Sequence, residues 1–211
     1  MPLDHVVVAV TDLELAAQEL FDEYGLASIP GGRHPDWGTA NRIVPMGGSY
    51  LELVEVVDPN VAAQSGFGRW VASARTGDGG FRPLGWSVRT DDLAAVCQRL
   101  GLSAVGGSRQ ADDGRVVDWA LAGVDQAAAE PSLPFFIQWG AETPLPGETP
   151  IRHPVGQSRI SRVTVSGEVQ RLASWLREDA VPVVVTSGPP AMVSVEVVST
   201  GRVWTLGGDS P

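Results

Sequence analysis

Three stretches of this chain repeat the same order of local signals, and that repetition constrains the fold more than any other feature. Residues 3–11, LDHVVVAVT, are apolar and β-branched, as a buried strand is. The spacing then turns helical, with Leu13, Ala16, Ala17 and Leu20 on one face. Thr11 and Glu14 stand three apart as a capping box, and Gly25 supplies the stop. Strands are expected around Ala27, over 39–45 and over 49–57, with Gly47 and Gly48 as the turn before the last. The order is βαβββ.

The same order returns from residue 83, where PLGWSVRT reads as a strand, Asp91 as the cap of a helix reaching Leu100, and Gly101 as its end. Strands follow near 102–109, 115–122 and 133–140, and SVRTDDLAAV echoes VAVTDLELAA of the first copy. A third pass opens with RISRVTVS at 159. Its helix places Val169, Leu172, Ala173 and Leu176 on one face, and strands are expected near 181–186, 191–199 and 202–207. The repeat is roughly 50 to 60 residues, a period that signals repeated structural units. The expected division is therefore 1–57, a connector with a short helix over 58–80, 81–140, a proline-rich linker over 141–158 draped on the surface, and 159–211.

Composition narrows the partners. With 15 basic and 25 acidic residues the net charge is −10, so phosphate backbones and anionic lipid surfaces are repelled, and neither nucleic acid nor membrane is expected as a partner. No window approaches the roughly 20 apolar residues of a membrane span, and MPLDHVVVAV lacks the basic start of a secretion signal, so a cytoplasmic location is expected. The single cysteine, Cys97, falls on the apolar stripe of a helix with Leu93 and Leu100 and reads as a buried thiol.

The strand LDHVVVAV, the stretch GGRHPDWGTANRIVPMGGSYLELVEV (31–56) and the later PFFIQWG (134–140) together resemble the vicinal oxygen chelate superfamily, which includes glyoxalases, bleomycin resistance proteins and dioxygenases. Within it, the paired GGRHP and PFFIQW motifs are most similar to the glyoxalase-like domain family. The resemblance implies an α+β fold of βαβββ modules whose curled mixed sheets surround a cavity, and a divalent metal (Fe, Mn, Zn or Ni) held from the first and last strands of each module. Position by position it places His5 and Glu52 on the ligand sites of the first module. Gln138 falls on one site of the second, and only Leu84, Gly85 or Trp86 is offered for the other. Glu52 would be the catalytic acid–base group of a lyase, isomerase or dioxygenase. The alternative is metal-free capture of a small molecule or drug. Pairing of modules between chains suggests a homodimer.

Each residue also has an ordinary reading. Alternation puts Glu52 on one face with Tyr50, Val54 and Val56, where a lone carboxylate is costly without a partner. Arg42 on the neighbouring strand could be that partner. His5 on an apolar strand could be a hydrogen-bonded core residue. His34, before Pro35, belongs to an extended stretch that either rims the cavity or is exposed, and His153 in the linker should be solvated. Trp37, Trp86, Trp119 and Trp139 fall where they would surround the cavity, and with Asn41 they suit a planar or amphipathic ligand. Each could equally be core, and Asn41 a turn residue.

Overall fold

A computed structural model describes residues 1–74, 81–110, 116–177 and 181–207. The first half runs β1 (Leu3–Ala9), α1 (Leu13–Tyr24), β2 (Ile29–His34), β3 (Thr39–Pro45) and β4 (Tyr50–Val56). Helices α2 (Pro59–Ala62) and α3 (Gly66–Ser73) lead to β5 (Arg82–Arg89), α4 (Leu93–Leu100), β6 (Ala104–Gln110), β7 (Val116–Ala122), α5 (Val124–Ala129) and β8 (Phe135–Trp139). The last unit is β9 (Ser158–Ser166), α6 (Val169–Leu176), β10 (Val183–Thr186), β11 (Ala191–Ser199) and β12 (Arg202–Gly207). Among the described residues no helix is long and apolar enough to cross a membrane.

Both long helices of the first two units stop where expected, at Gly25 and Gly101, each in the left-handed conformation that glycine adopts freely. Their starts lie one residue later than the sequence suggests. Asp12, not Thr11, accepts the backbone N–H groups of Glu14 and Leu15, and Asp92, not Asp91, accepts that of Ala95. Each pair offers two good caps in a row. The second strand begins at Ile29 rather than around Ala27.

Eight strands form one sheet in the order β2-β3-β4-β1-β5-β8-β7-β6. In each half the first strand lies parallel to the last, and the two first strands pair antiparallel, so the halves are related by an approximate two-fold. The sheet curls until its free edges nearly meet: a Cβ on Gly32 of β2 would stand 3.0 Å from Cδ of Arg109 on β6. This is the strand-rich α+β glyoxalase-type fold.

The third unit keeps the order of elements but not their pairing. Strand β9 is central, flanked by a parallel β10 and an antiparallel β11, with β12 outermost. Hydrophobic periodicity reports which residues face a core and is silent on which strands pair, so the same local pattern serves two topologies. The four-stranded sheet and α6 pack on the convex face of the large sheet, where Val163, Trp175 and Val195 share one buried cluster with Val8, Trp86 and Phe136. The third unit is thus covered within the chain.

The linker is also less peripheral than its prolines suggest. Pro146 and Gly147 are buried, and the His153 ring is enclosed: Nδ1 accepts the Ala27 N–H at 3.0 Å and Nε2 donates to the Pro45 carbonyl at 2.7 Å. The expectation of a solvated His153 was wrong. Cys97, expected in the core, is half-buried at its edge.

Candidate functional site

The concave face of the curled sheet has an apolar end and a polar end. Helix α3 fills the first with Phe67, Trp70 and Val71, packed on Val7, Val54 and Phe135. Beside this plug lies a cavity of about 40 Å³ lined by His5, His34, Trp37, Asn41, Tyr50, Glu52, Arg109, Trp119, Phe135 and Trp139, among others. Such a space takes one or two water-sized groups beyond the side chains themselves.

Strand alternation explains the polar end. His5 on β1 and Glu52 on β4 both point inward, and both are nearly enclosed, at 3% and 8% exposure. Glu52 accepts a 2.5 Å hydrogen bond from Asn41 Nδ2, and its other oxygen is 3.5 Å from His5 Nε2. Arg42 is not its partner. That guanidinium lies on the other side of the sheet, 2.8 Å from Glu14. Gly31 is needed here, because a Cβ at that position would fall 2.0 Å from Asn41 Oδ1.

Asp4 completes a buried chain of polar groups. Its Oδ1 accepts from His5 Nδ1 at 2.7 Å, while Oδ2 accepts from Trp139 Nε1 at 3.0 Å and lies 3.5 Å from Arg89. With Nδ1 donating to Asp4, His5 presents Nε2 to the cavity and to Glu52. The ring is clamped by Tyr50, stacked at 4.7 Å, and by Phe135, edge-on at 5.3 Å. A buried network of this kind, in which Asn41 Oδ1 alone is buried without a partner among the described residues, holds its members in one geometry.

Burial pushes the Tyr50 hydroxyl well above its ordinary value of 10, and the Asp4 and Glu52 charges add to the effect against Arg109 and Arg89. Tyr50 therefore remains a hydrogen-bond donor. His34 is buried too, with Nδ1 3.0 Å from Thr39 Oγ1 and its ring against Trp37. Burial lowers its basicity below the usual 6.5; Glu52 acts in the opposite sense and Arg109 in the same one. A group whose basicity is lowered in the folded state binds its proton in the unfolded chain first. Stability is thus expected to fall as pH drops below about 6.5. Denaturant titrations at pH 7.5 and 5.5 should show this loss reduced in His34→Gln; an equal loss in both proteins would refute it.

Of the residues expected around the cavity from the sequence, His5, His34, Trp37, Asn41, Glu52, Trp119 and Trp139 line it, and two do not. Trp86 is fully buried on the convex face, donating to the Ser132 carbonyl. The Gln138 side chain also faces away, its Oε1 accepting the Leu93 N–H at the start of α4 at 2.9 Å. Glu55 does the same for Leu13 at the start of α1. Superposing these two helix starts makes Gln138 the counterpart of Glu55, not of Glu52. Phe135 then matches Glu52, and Gly85 matches His5. The register agrees: Val7 faces Glu52 across the first parallel pair as Ser87 faces Phe135 across the second.

The residues present do not fit the metal site that the resemblance implies. His5 and Glu52 supply one nitrogen and one free carboxylate oxygen, and Gly85 and Phe135 supply nothing. Among the described residues no three His, Cys, Asp or Glu side chains converge on a point. Tyr50, Phe135 and Arg109 were missed as cavity residues, and Asp4 as the group behind His5. Asp4 had a signal in its adjacency to His5, whereas Arg109 sits in a glycine-rich strand with no alternation to orient it.

Two β-α-β-β-β halves joined through their first strands and curled around an inward histidine and glutamate define a protein of the vicinal oxygen chelate class. The chain belongs to the glyoxalase-like domain family, whose model matches residues 3–179. Among solved structures it is similar to a hypothetical protein from Staphylococcus aureus, with a TM-score of 0.64 and 17% identity over 99% of this chain and 86% of that one. Likeness extends to a methylmalonyl-CoA epimerase variant from Streptomyces coelicolor in complex with 2-nitronate-propionyl-CoA, with a TM-score of 0.46 and 18% identity over 67% of this chain and 95% of that one. Methylmalonyl-CoA epimerase from Mycobacterium tuberculosis gives a TM-score of 0.43 and 21% identity over 65% and 85%. No curated protein sequence matches the chain.

Proposed function

We propose that this protein binds a small organic molecule whose oxygen-bearing head, the size of one or two waters, enters the cavity between His5, Glu52 and Tyr50 while its flat body lies at the opening against the half-buried tryptophans. The observation that carries this reading is the buried chain Asp4–His5–Glu52–Asn41 ending at a cavity whose other walls are Trp37, Trp119, Trp139 and Phe135. Enclosed polar groups aimed into an aromatic cavity are what orient a ligand, since each would otherwise be a cost to folding. Tyr50 and Arg109 offer donors and Glu52 an acceptor, which suits a compact molecule bearing adjacent oxygens.

The same groups could move a proton on such a ligand. Glu52 would take it from a carbon or hydroxyl next to the bound oxygen, and Tyr50 would donate to the charge that develops. No step passes through a metal, in keeping with the donor set. A thermal-shift screen of small hydroxy acids, keto acids and aromatic acids tests the reading. A compound at about 100 times its Kd contributes about 2.7 kcal/mol, several degrees of melting temperature in a chain this size. Glu52→Gln and Tyr50→Phe should each reduce that shift. An unchanged shift in both variants would place the ligand elsewhere.

A further inference from the structure

The approximate two-fold of the large sheet allows the two halves of the cavity to be compared position by position, and they have diverged in a specific way. Where the first half puts the His5 imidazole, the second has Gly85, and the space of its missing side chain is taken by Trp70: a Cβ there would fall 2.4 Å from the indole Cη2. Where the first half puts the Glu52 carboxylate, the second has Phe135, which lies between the two, 6.1 Å from the Trp70 ring and 5.3 Å from the His5 ring. Trp70, Phe135 and His5 form a continuous row of edge-on ring contacts running from the α3 plug to the polar end. The wedge is built, not vacant: Trp70 and Phe135 are at 5% and 1% exposure.

We infer that this wedge has replaced the second pair of metal-ligand positions, and that His5 and Glu52 act on an organic ligand directly, by hydrogen bonding, without a chelated ion. The inference rests on the reading of the cavity as a small-molecule site and deepens it. Two donors do not hold a divalent ion against water, and sites with open positions for substrate still use three protein ligands. His5 is instead fixed as a hydrogen-bonding group: Nδ1 is committed to Asp4, and the ring is stacked on Tyr50 and meets Phe135 edge-on. Glu52 has one oxygen committed to Asn41. Phe135 further makes the wall beside His5 apolar, so the part of the ligand lying there is expected to be hydrocarbon.

The test is metal titration of the full chain with Co²⁺, followed by its visible spectrum, and with Zn²⁺ by calorimetry. Wild type is expected to show no saturable uptake that His5→Ala removes at roughly 100 µM metal, where a three-ligand protein site is already filled. Phe135→Glu restores a carboxylate at the counterpart of Glu52 and is expected to tighten Co²⁺ uptake about tenfold or more. One equivalent of metal bound by wild type and lost in His5→Ala would overturn the inference, as would a folded Phe135→Glu with unchanged uptake. Should Phe135→Glu fail to fold, the comparison of wild type with His5→Ala decides alone. Repeating the small-acid thermal-shift screen with and without EDTA separates the two ideas. A shift that vanishes in EDTA keeps the ligand site and refutes metal independence. Absence of any shift, together with absence of metal uptake, refutes the ligand site and with it the direct role of His5 and Glu52 on a ligand, and leaves standing only the loss of the metal positions.

Discussion

Trp175→Ala is expected to lower the free energy of unfolding by about 3–5 kcal/mol, the largest single effect anticipated outside the cavity. Trp175 lies on α6, in the buried cluster that the third unit shares with the large sheet. Its indole is buried, donates to the Pro134 carbonyl at 2.8 Å and leans over Phe136 at 5.9 Å. Arg171 covers the ring face at 5.0 Å, and Arg99 on α4 donates to the Trp175 carbonyl at 2.9 Å. Truncation would leave a void between two sheets that are each held by their own strand pairing, so collapse into it is restricted. Because both units share one buried cluster, urea unfolding followed by circular dichroism should show one transition in wild type. A loss under 1 kcal/mol, or two transitions in wild type, would mean that the units are not docked as described.

His153→Ala should be nearly as damaging, at about 2–4 kcal/mol, because it leaves two backbone groups without partners. The ring joins Ala27, at the exit of α1, to Pro45, at the end of β3, and so ties the linker to the first half of the sheet. The sharper measurement is hydrogen exchange at the Ala27 amide, which should quicken in the variant by more than the global loss of stability accounts for. Unaltered protection at Ala27 would show that the histidine is not its acceptor.

The parts of the site that could be read from the sequence were those governed by one strand at a time. Alternation sent Glu52 inward and Glu55 outward, and the structure puts Glu55 on the start of α1. Extending the same argument to the second half failed because it needed the phase of β8 relative to β4. PFFIQWG can be laid over SYLELVEV in more than one register, and the tempting match of Gln138 with Glu52 joins two acceptors of different purpose. The helix starts at Leu13 and Leu93 settle the phase, since each receives one cap from its own last strand. Trp86 went astray for a related reason: it neighbours Gly85 and Ser87 on a strand with apolar residues on both faces, where composition carries no inward or outward signal.

His153 shows the limit for linkers. Proline and polar residues mark a segment that is not a helix or a strand, yet burial depends on what lies beneath it, and here the ends of α1 and β3 offered two unpaired backbone groups.

The sequence by itself determined the order of the three repeated βαβββ units, the glycine stops of α1 and α4 and the inward placement of Glu52, because each depends on contacts within a few residues. It did not anticipate α5 or the division of the connector into α2 and α3. Only the tertiary structure decided that the third unit pairs its strands differently, that Asp4 and Arg89 back the His5 imidazole, and that Gly85 with Trp70 and Phe135 stand where a second histidine and glutamate would be. Those outcomes depend on the register between strands far apart in the chain. A shift of one residue there exchanges one face for the other without altering any local pattern.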